Sequence, residues 1–434
     1  MPINGLSTTK YYERLGVNPF AITTIEYPRS DGVVILSEDT NYKITHPTSQ
    51  YNARMGTSIA LSGDGTRLLV GMPEGANYED TTFSGTATGR VQAYFKLPSF
   101  STTTWSPIGA IEFTGLGGYD DATGAEDIGT YVAISKDGET AATSNLTSNL
   151  VEIIGPGGRA NGTITTDNTP GPLALNGNGK RIVIGMPYGG PSTAHGKVMV
   201  YGLREIAPGS ALGGYHTIGN SLTGAANNDN FGSEVCINDV GNIIGVGIAG
   251  GDTAGTNFGG VKVYKLIGTT WTQIGQTLDL FSQQKVTSLD MNATGDTICI
   301  GSALNQPPGA NEPVGEISVY KFDGAYWNLL GEKIIYYSAA TTQLGHAAAM
   351  SSDGYTIVVS NGASTLTSGS FNETIVVYRY NGSDWKSVGS FVGPSNTAQN
   401  GYSVAISSDG KIVVAGAPGT NSNRGEVRYF TLNV

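Results

Sequence analysis

The stretch Gly401-Tyr-Ser-Val-Ala-Ile-Ser-Ser-Asp-Gly410, followed by Lys-Ile-Val-Val-Ala-Gly-Ala-Pro at 411–418, decides the fold. It contains two apolar runs of about five residues separated by Asp-Gly, where glycine supplies the positive φ that a tight hairpin turn requires. The same pattern occupies residues 56–73. We therefore predict a repeated strand, turn, strand unit.

Five further copies lie between these two. The seven turn glycines are Gly65, Gly138, Gly179, Gly241, Gly295, Gly354 and Gly410. They are separated by 41 to 73 residues, a spacing typical of one four-stranded propeller blade with its loops. Seven copies predict an all-β fold, a seven-bladed β-propeller of four-stranded antiparallel blades.

Each copy continues into two further runs that read as strands. The third run alternates or is β-branched, as in Val261-Lys-Val-Tyr264. The fourth carries an aromatic residue and a glycine, as in Trp327-Asn-Leu-Leu-Gly331, and all four tryptophans of the chain lie in this motif. A residue that recurs at one repeat position is explained by packing between blades, and a sugar-stacking platform is the alternative.

Two copies depart from the pattern. The second has Ala141-Ala-Thr-Ser144 in place of a glycine-ending run, and no tryptophan follows, which predicts a shortened blade. The last copy stops at Val434 before any fourth strand, so we expect the N-terminal segment to close the ring. Tyr12-Glu-Arg-Leu-Gly16 and Asn41-Tyr-Lys-Ile-Thr45 both fit that role. The chain then divides into an arm and closure segment, 1–50, and the propeller, 51–434.

Two glycine motifs carry a resemblance to a known family. Phe231-Gly232 and Gly416-Ala417-Pro418, with Gly71-Met-Pro73 as a variant, resemble the FG-GAP repeats of integrin α-subunit propellers. With its Ser-x-Asp-Gly turns and trailing Trp-x-x-Ile-Gly, the chain is also similar to propeller proteins of large DNA viruses, phages and marine microbes. The resemblance covers roughly residues 55–434 and implies a virion or cell-surface role.

The turns depart from the integrin pattern. Integrin-type blades often carry Asp-x-Asp-x-Asp-Gly loops, whose closely spaced carboxylates bind calcium. Here no turn has three alternating carboxylates; the turns read, for example, Ser-Gly-Asp-Gly at 62–65 and Asn-Gly-Asn-Gly at 176–179. We interpret them as hairpins and predict no cofactor. Calcium stays as the alternative, with the acidic loop at 119–127 as a second candidate that a solvated loop also explains.

Catalytic motifs are not recognisable. The four histidines, His46, His195, His216 and His346, lie in different repeats, and none has a second ligand at metal-binding spacing. His346 begins the inner strand of the sixth copy, a place from which it can face the central channel. Neither a Gly-x-Ser-x-Gly nucleophile motif nor a phosphate-binding loop is present. We therefore predict no enzyme and no catalytic residue.

Charge and hydropathy limit the partners. The net charge is -11, from 35 acidic and 24 basic residues without a Lys/Arg cluster, which argues against binding to a phosphate backbone. We found no apolar run of about 18 residues and no signal-peptide pattern. The expectation is a protein made in the cytoplasm and located on a virion or particle surface, with no nucleic acid partner and no membrane span.

Variable loops on a regular scaffold favour a non-enzymatic interaction or scaffold protein. The expected role is a virion or appendage component that contacts other structural proteins and mediates host attachment through a protein or glycan receptor. Apolar side chains of the arm, Tyr11, Tyr12, Leu15 and Phe20, suggest a partner-docking segment. The alternatives are a propeller enzyme that acts on polysaccharide through carboxylates at the channel mouth, and a secreted calcium-dependent adhesin.

Overall fold

The computed structural model describes most of the chain as strands. It covers residues 37–38, 43–45, 53–73, 89–96, 105–114, 128–155, 159–190, 195–204, 213–250, 259–280, 285–305, 314–336, 344–361, 374–393 and 399–432. These residues form seven separate antiparallel sheets of four or five strands. The chain is a seven-bladed β-propeller, as the repeats predict.

Blades 1 to 4 follow one another along the chain. Blade 1 contains β3 (Ser58–Leu61), β4 (Arg67–Met72), β5 (Arg90–Lys96) and β6 (Trp105–Thr114). Blade 2 contains β7 (Val132–Ile134), β8 (Ala141–Asn145), β9 (Leu150–Gly155) and β10 (Arg159–Thr165). Blade 3 contains β11 (Leu173–Leu175), β12 (Arg181–Met186), β13 (Lys197–Arg204), β14 (Gly213–Thr217) and β15 (Leu222–Thr223). Blade 4 contains β16 (Phe231–Ile237), β17 (Ile243–Ile248), β18 (Gly260–Ile267), β19 (Thr270–Gln273) and β20 (Leu278–Asp279).

Blades 5 to 7 complete the ring. Blade 5 contains β21 (Ser288–Met291), β22 (Thr297–Asn305), β23 (Val314–Phe322), β24 (Trp327–Leu329) and β25 (Ile334–Tyr336). Blade 6 contains β26 (Ala348–Met350), β27 (Thr356–Ser360), β28 (Thr374–Tyr380) and β29 (Trp385–Val392). Blade 7 contains β30 (Ser403–Ile406), β31 (Ile412–Ala417) and β32 (Glu426–Thr431), joined by β1 (Ser37–Glu38) and β2 (Ile44–Thr45).

The first strand of each blade contacts the first strands of its two neighbours, so these strands surround a central channel. The order of contact is β3, β7, β11, β16, β21, β26, β30 and back to β3. The hydrophobic core lies between adjacent sheets: Val70 of blade 1, for example, packs in one cluster with Val414 and Tyr429 of blade 7. Burial is therefore shared around the ring rather than concentrated in one centre.

The Ser-x-Asp-Gly turns are hairpins held by their own side chains. Ser62 Oγ donates to Asp64 Oδ1 at 2.6 Å and accepts the Arg67 amide at 2.9 Å, while Gly65 takes a φ of +70°. Burial alone would raise the pKa of Asp64, but hydrogen bonds from Ser62 and Thr66 outweigh it and hold that pKa below its ordinary value. The same serine-to-aspartate bond recurs in three other turns, at Ser135, Ser351 and Ser407. The hairpin interpretation is confirmed.

Glycines that recur in the repeat allow two backbones to approach each other between blades. A Cβ on Gly71 would lie 2.0 Å from the Gly129 carbonyl oxygen of blade 2, and one on Gly185 would lie 2.2 Å from that of Gly232 in blade 4. Gly129 and Gly232 in turn both take a φ of +90°. The two glycines that resemble FG-GAP elements are thus the two sides of one contact between neighbouring blades.

Blade 2 is short but complete: the shortening lies in its connections and no strand is lost. It has four strands, β7 to β10, joined by short connections at 146–149 and 156–158 that account for the close spacing of its turns. Ser144 occupies the position of the missing glycine. Its Oγ donates to the Gly171 carbonyl of blade 3 at 2.7 Å, so a hydrogen bond replaces the close backbone contact.

The tryptophan and glycine of the fourth-strand motif meet across a blade boundary. Trp327 Nε1 of blade 5 donates to the Ile274 carbonyl of blade 4 at 3.1 Å, and its ring packs on Gly275, where a Cβ would lie 2.6 Å from the indole. Trp271 and Trp385 make the corresponding bonds, and all three indoles are at most 5% exposed. For these three tryptophans packing is confirmed over sugar stacking.

The substitution Trp327→Phe is expected to lower the free energy of unfolding by about 1–3 kcal/mol, because it leaves the buried Ile274 carbonyl without its donor. Denaturant unfolding followed by circular dichroism measures the change. Tyr326→Phe is the matched control, since that neighbouring ring is 63% exposed and should shift the midpoint little. Equal midpoints for the two variants would contradict the role assigned to the indole N–H.

The N-terminal segment supplies the fourth strand of blade 7. Both β1 and β2 pair antiparallel with β32, with Ser37 opposite Thr431 and Ile44 opposite Val427. Of the two candidate stretches, Asn41–Thr45 contains β2, while β1 lies outside both and Tyr12–Gly16 lies outside the described residues. N-terminal closure is therefore observed directly.

An ion pair to a buried glutamate accompanies this closure and has a counterpart in blade 5. Lys43 Nζ lies 2.5 Å from Glu426 Oε2, and Lys333 Nζ lies 2.6 Å from Glu316 Oε1; both glutamates are 1% exposed. Each lysine directly precedes the short strand that pairs beside its glutamate. Arg428 also contacts Glu426. The N-terminal segment thus reproduces in blade 7 the arrangement of blade 5, in which a lysine precedes the last short strand and pairs with a buried glutamate.

Candidate functional site

The second residues of the seven turns narrow one end of the channel, which we call the turn mouth. The Gly63 amide donates to the Lys136 carbonyl at 2.7 Å. Six further backbone bonds of 2.8 to 3.1 Å run from Asp137 to Gly177, Gly177 to Asp239, Asp239 to Ala293, Ala293 to Ser352, Ser352 to Ser408 and Ser408 to Gly63. The bonds close on themselves, so every blade is joined to both neighbours at this end.

Lys136 crosses the turn mouth. Its Nζ, from blade 2, donates to Ser352 Oγ of blade 6 at 3.1 Å. These blades are not neighbours in the ring, so the side chain spans the opening. The turn mouth is therefore obstructed by an ammonium group.

Asp290 lies on β21 at a position that the other six blades fill with small residues. Its Oδ1 accepts the Met291 amide and its Oδ2 accepts the Met350 amide of blade 6, both at 2.8 Å. Burial raises the pKa of Asp290 and outweighs these bonds and the nearby charge of Lys136, which lower it. The carboxyl is thus used to join two blades rather than left open to a ligand.

The opposite end of the channel, which we call the tyrosine mouth, is where the innermost strands begin, and Tyr131, Glu234, His346 and Tyr402 lie at or near those starts. The rings of His346 and Tyr402 lie 5.0 Å apart, edge to face. Burial raises the pKa of Tyr131, and the charges of Glu234, Tyr188 and Tyr402 raise it further. Tyr131 belongs to blade 2, Glu234 to blade 4 and Tyr402 to blade 7, so the electrostatic interactions of Tyr131 reach across the channel axis.

Glu234 is the charged residue of this mouth, at a position where the other six copies have uncharged residues. Serines at the same repeat position donate to a neighbouring glycine carbonyl, as Ser58 does to Gly129 at 2.7 Å and Ser403 to Gly56 at 2.8 Å. Glu234 is partly exposed, and the desolvation of its carboxyl raises its pKa to about 8. His346 is neutral at pH 7, because burial lowers the pKa of its ring.

Glu234→Gln is expected to stabilise the protein at pH 8 by on the order of 2 kcal/mol and to change little at pH 4.5. The folded-state pKa is raised, so wild-type stability is greatest below pH 4.5 and is lost as the pH rises toward 8. Glutamine has no charge to desolvate and escapes this loss. Unfolding free energies measured at both pH values test this prediction, with Glu332→Gln at an exposed position as the control. Parallel pH profiles of stability for wild type and Glu234→Gln would contradict the prediction.

Most of the residues singled out from the sequence lie either away from the channel or outside the described residues. The arm residues Tyr11, Tyr12, Leu15 and Phe20, the acidic loop 119–127 and His46 lie outside the described residues. His195 Nε2 is 2.7 Å from Asn227 Oδ1, and His216 lies on β14, so neither is at the channel. His346 does lie at the start of the innermost strand, as expected.

Sequence reasoning did not single out Tyr131, Glu234, Tyr402, Lys136 or Asp290. A signal was nevertheless present in the repeat alignment. At the position of Glu234 the other six copies have Ser58, Tyr131, Pro172, Ser288, Ala347 and Ser403. At the position of Asp290 they have alanine or cysteine. A charged residue where every other copy has an uncharged one marks a position that the fold alone does not explain.

Within the described ranges, no three histidine, cysteine, aspartate or glutamate side chains are grouped as a metal site would need. The same ranges contain no helix of the length and hydrophobicity that a membrane crossing requires.

Comparison with known proteins supports the fold. No family model and no curated protein matches the chain. Among solved structures, the Cps50 (Swd1) β-propeller domain of Myceliophteria thermophila is 10% identical with a TM-score of 0.54, covering 90% of this chain and 100% of that chain. Hydrazine synthase of Kuenenia stuttgartiensis is 13% identical with a TM-score of 0.57, covering 90% and 98%. At such identities the likeness shows the β-propeller fold alone; the FG-GAP resemblance stays a prediction.

Proposed function

We propose that the protein is a non-enzymatic interaction module, a structural component of a virion or appendage that binds a protein or glycan partner through the connections between its strands. The observation that supports this most is how the repeat residues are used. Serine, aspartate, glycine and tryptophan of the motifs are committed to turns and blade contacts, as at Ser62, Asp64 and Trp327. What varies between copies is the length of the connections. The connection between the second and third strands, for example, spans residues 146–149 in blade 2 and residues 73–89 in blade 1.

A rigid ring with variable connections suits recognition, because a scaffold that does not change on binding loses little conformational entropy. The ring here is joined at every blade boundary by backbone bonds at the turn mouth. The FG-GAP resemblance and the apolar arm residues Tyr11, Tyr12, Leu15 and Phe20 favour a place in an assembly.

Mass spectrometry of purified native particles, with cross-linking, tests the proposal. We expect the chain at a fixed ratio to other structural proteins, with cross-links from the connections or from the arm. A deletion of residues 1–31, which keeps both closing strands, separates the two surfaces: docking by the arm is lost, and docking by the connections is retained. Absence from the particles together with no binding on protein and glycan arrays would contradict the proposal.

A second candidate, polysaccharide cleavage, is favoured by one observation. Glu234 lies at a channel mouth with a pKa near 8, which suits a general acid. Retaining and inverting glycosidases both need a second carboxyl about 5–10 Å away. Asp290 is bonded to Met291 and Met350 instead. Turnover of a glycoside panel that disappears in Glu234→Gln would replace the first proposal with this one.

A further inference from the structure

We propose that residues 1–36 of the chain dock on the turn-mouth end of the chain's own blades 4, 5 and 6. The docking surface, which we call the apolar face, consists of four exposed side chains, Val240, Ile267, Tyr326 and Tyr355. This goes beyond the proposed function, because it concerns a contact within one chain at the turn-mouth end of the ring.

A backbone bond that recurs from blade to blade places the apolar face at the turn mouth. In blade 4 the Leu266 amide donates to the Asn242 carbonyl at 2.9 Å, so the hairpin that carries Ile267 lies beside the central turn of that blade. The corresponding bonds, of 2.8 and 2.9 Å, run from Phe322 to Asp296 in blade 5 and from Tyr380 to Tyr355 in blade 6. At this end of blades 4 to 6 no connection between strands exceeds five residues, so the surface is low and continuous.

Two of the four side chains are apolar where the other copies of the repeat are polar. Before the turn glycine, Val240 stands where the other six copies have Asp64, Asp137, Asn178, Thr294, Asp353 and Asp409. After it, Tyr355 stands where they have Thr66, Glu139, Lys180, Asn242, Asp296 and Lys411. Blade 4 builds its turn from Asn238, whose Oδ1 accepts two backbone amides at 2.9 Å, and Val240 is 68% exposed. Neither the turn nor the core accounts for such apolar side chains, and their grouping on one end of three blades indicates an interaction site.

Tyr355 is held in place before anything covers it. Its ring stacks on that of Tyr380, with centroids 6.0 Å apart and planes at 17°. Lys321 Nζ of blade 5 donates to the Tyr355 hydroxyl at 3.3 Å and lies 5.4 Å from the ring centre, so the lysine is at the hydroxyl edge. The tyrosine stays 38% exposed. A side chain that is already fixed loses little conformational entropy when a partner packs on it.

The occupant follows from where the chain enters blade 7. The Leu432 amide donates to the Lys411 carbonyl at 2.7 Å, which is the same bond as in blades 4 to 6, so β32 ends at the turn mouth. β1 begins at Ser37, which pairs with Thr431 at that end of β32. Residues 1–36 therefore join the ring at the turn-mouth end, on the blade next to blade 6.

Reach and chemistry both suit residues 1–36. A segment of 36 residues extends to at most about 120 Å. Four strands about 4.8 Å apart on each side of a channel make a face on the order of 50 Å across. The segment carries the apolar side chains Tyr11, Tyr12, Leu15 and Phe20, and its three basic residues balance its three acidic ones. Because it is tethered at this end of the ring, its local concentration exceeds that of a separate molecule.

Limited trypsin digestion of the folded full chain tests the docking, with a synthetic peptide of residues 1–31 as the unprotected reference. We expect the bond between Arg14 and Leu15 to be cleaved at least about tenfold more slowly in the chain than in the peptide, because trypsin cuts only the undocked segment. Cleavage of chain and peptide at the same rate would overturn the proposal.

Two matched variants locate the protecting surface. Val240→Asp combined with Tyr355→Asn gives both positions residues that other copies carry there, and it should remove most of the protection. Tyr188→Asn changes a side chain that is 75% exposed at the opposite end of the ring and should leave the cleavage rate unchanged. Protection that survives the double variant would overturn the apolar face as the docking surface. If circular dichroism shows that the double variant is unfolded, cross-linking decides.

Photo-cross-linking from Tyr12→p-benzoylphenylalanine identifies the contact in the full chain. We expect cross-links to the peptides of blades 4 to 6 that contain the apolar face, whereas cross-links confined to the tyrosine mouth would overturn it. In a mixture of unlabelled and isotope-labelled chains, cross-links within one isotope support docking on the same chain. Cross-links between isotopes would show docking on a second copy and overturn the proposal. A chain that is found in particles but is cleaved like the free peptide fails this inference and not the proposed function.

Discussion

Deletion of residues 1–45 is expected to destabilise the propeller by at least about 2–3 kcal/mol, the cost of removing a charged hydrogen-bond donor from a buried carboxylate, or to prevent folding. The deletion removes Lys43 from Glu426, which is 1% exposed, and leaves Arg428 as its remaining described partner. It also leaves β32 as an open sheet edge, which favours pairing with other chains. The ring would then have six complete blades and one of three strands.

Guanidinium unfolding and size-exclusion chromatography measure this effect. The control is the deletion of residues 1–31, which retains β1, β2 and Lys43 and is expected to keep most of the stability and the oligomeric state of the full chain. If both deletions unfolded at the wild-type midpoint, closure by the N-terminal strands would contribute nothing to stability, contrary to their pairing with β32.

Gly416→Ala is expected to cost about 3 kcal/mol, at the upper end of what overpacking in a tight interior costs. A Cβ at this position would lie 2.0 Å from the Gly56 carbonyl oxygen and 2.5 Å from Ser403 Oγ. The first of these is backbone at the boundary between blades 7 and 1, so relief requires the two sheets to move apart. The melting temperature and the unfolding free energy should both fall.

Gly268→Ala is the matched control for this variant. Gly268 has a φ of +61°, unfavourable for alanine by about 1–2 kcal/mol, but a Cβ there meets nothing within 4 Å. Gly416→Ala should therefore be the more damaging of the two even though Gly416 has no positive φ. The reverse order would mean that backbone strain, rather than contact between blades, explains the glycines of the repeat.

The repeat predicted the fold because each of its residues has a local reason. Ser62, Asp64 and Gly65 build a hairpin from neighbours in sequence, so their pattern can be read without knowing the rest of the chain. The same holds for the alternation of the third strands. Blade number, strand order and N-terminal closure all followed from counting such patterns.

Features that depend on contacts between copies could not be predicted in the same way. The fourth strands of blades 3, 4 and 5 each divide into two short pieces, separated by a glycine of positive φ such as Gly275. That glycine is required by an indole in the next blade, Trp327, which lies 52 residues further along the chain. The role of Ser144 in blade 2 could not be predicted for the same reason, since its partner is in blade 3.

The channel was the least predictable part. Glu234, Tyr131 and Tyr402 are 103 to 271 residues apart in sequence, and only ring closure brings them together. A repeat pattern describes what the copies share, whereas a site is built from what they do not share. Position-by-position comparison of the copies is therefore the way to find such sites.

The closed cycle of main-chain bonds at the turn mouth fixes the number of repeats. Six members use their own amide and carbonyl, and in blade 2 the Lys136 carbonyl and the Asp137 amide share the role, so glycine, lysine, aspartate, alanine and serine all serve here. Duplication or loss of one blade would open the cycle, and every remaining bond would have to change its angle for the circle to close again. Side chains around this cycle can therefore be substituted one at a time, whereas the number of blades cannot change gradually.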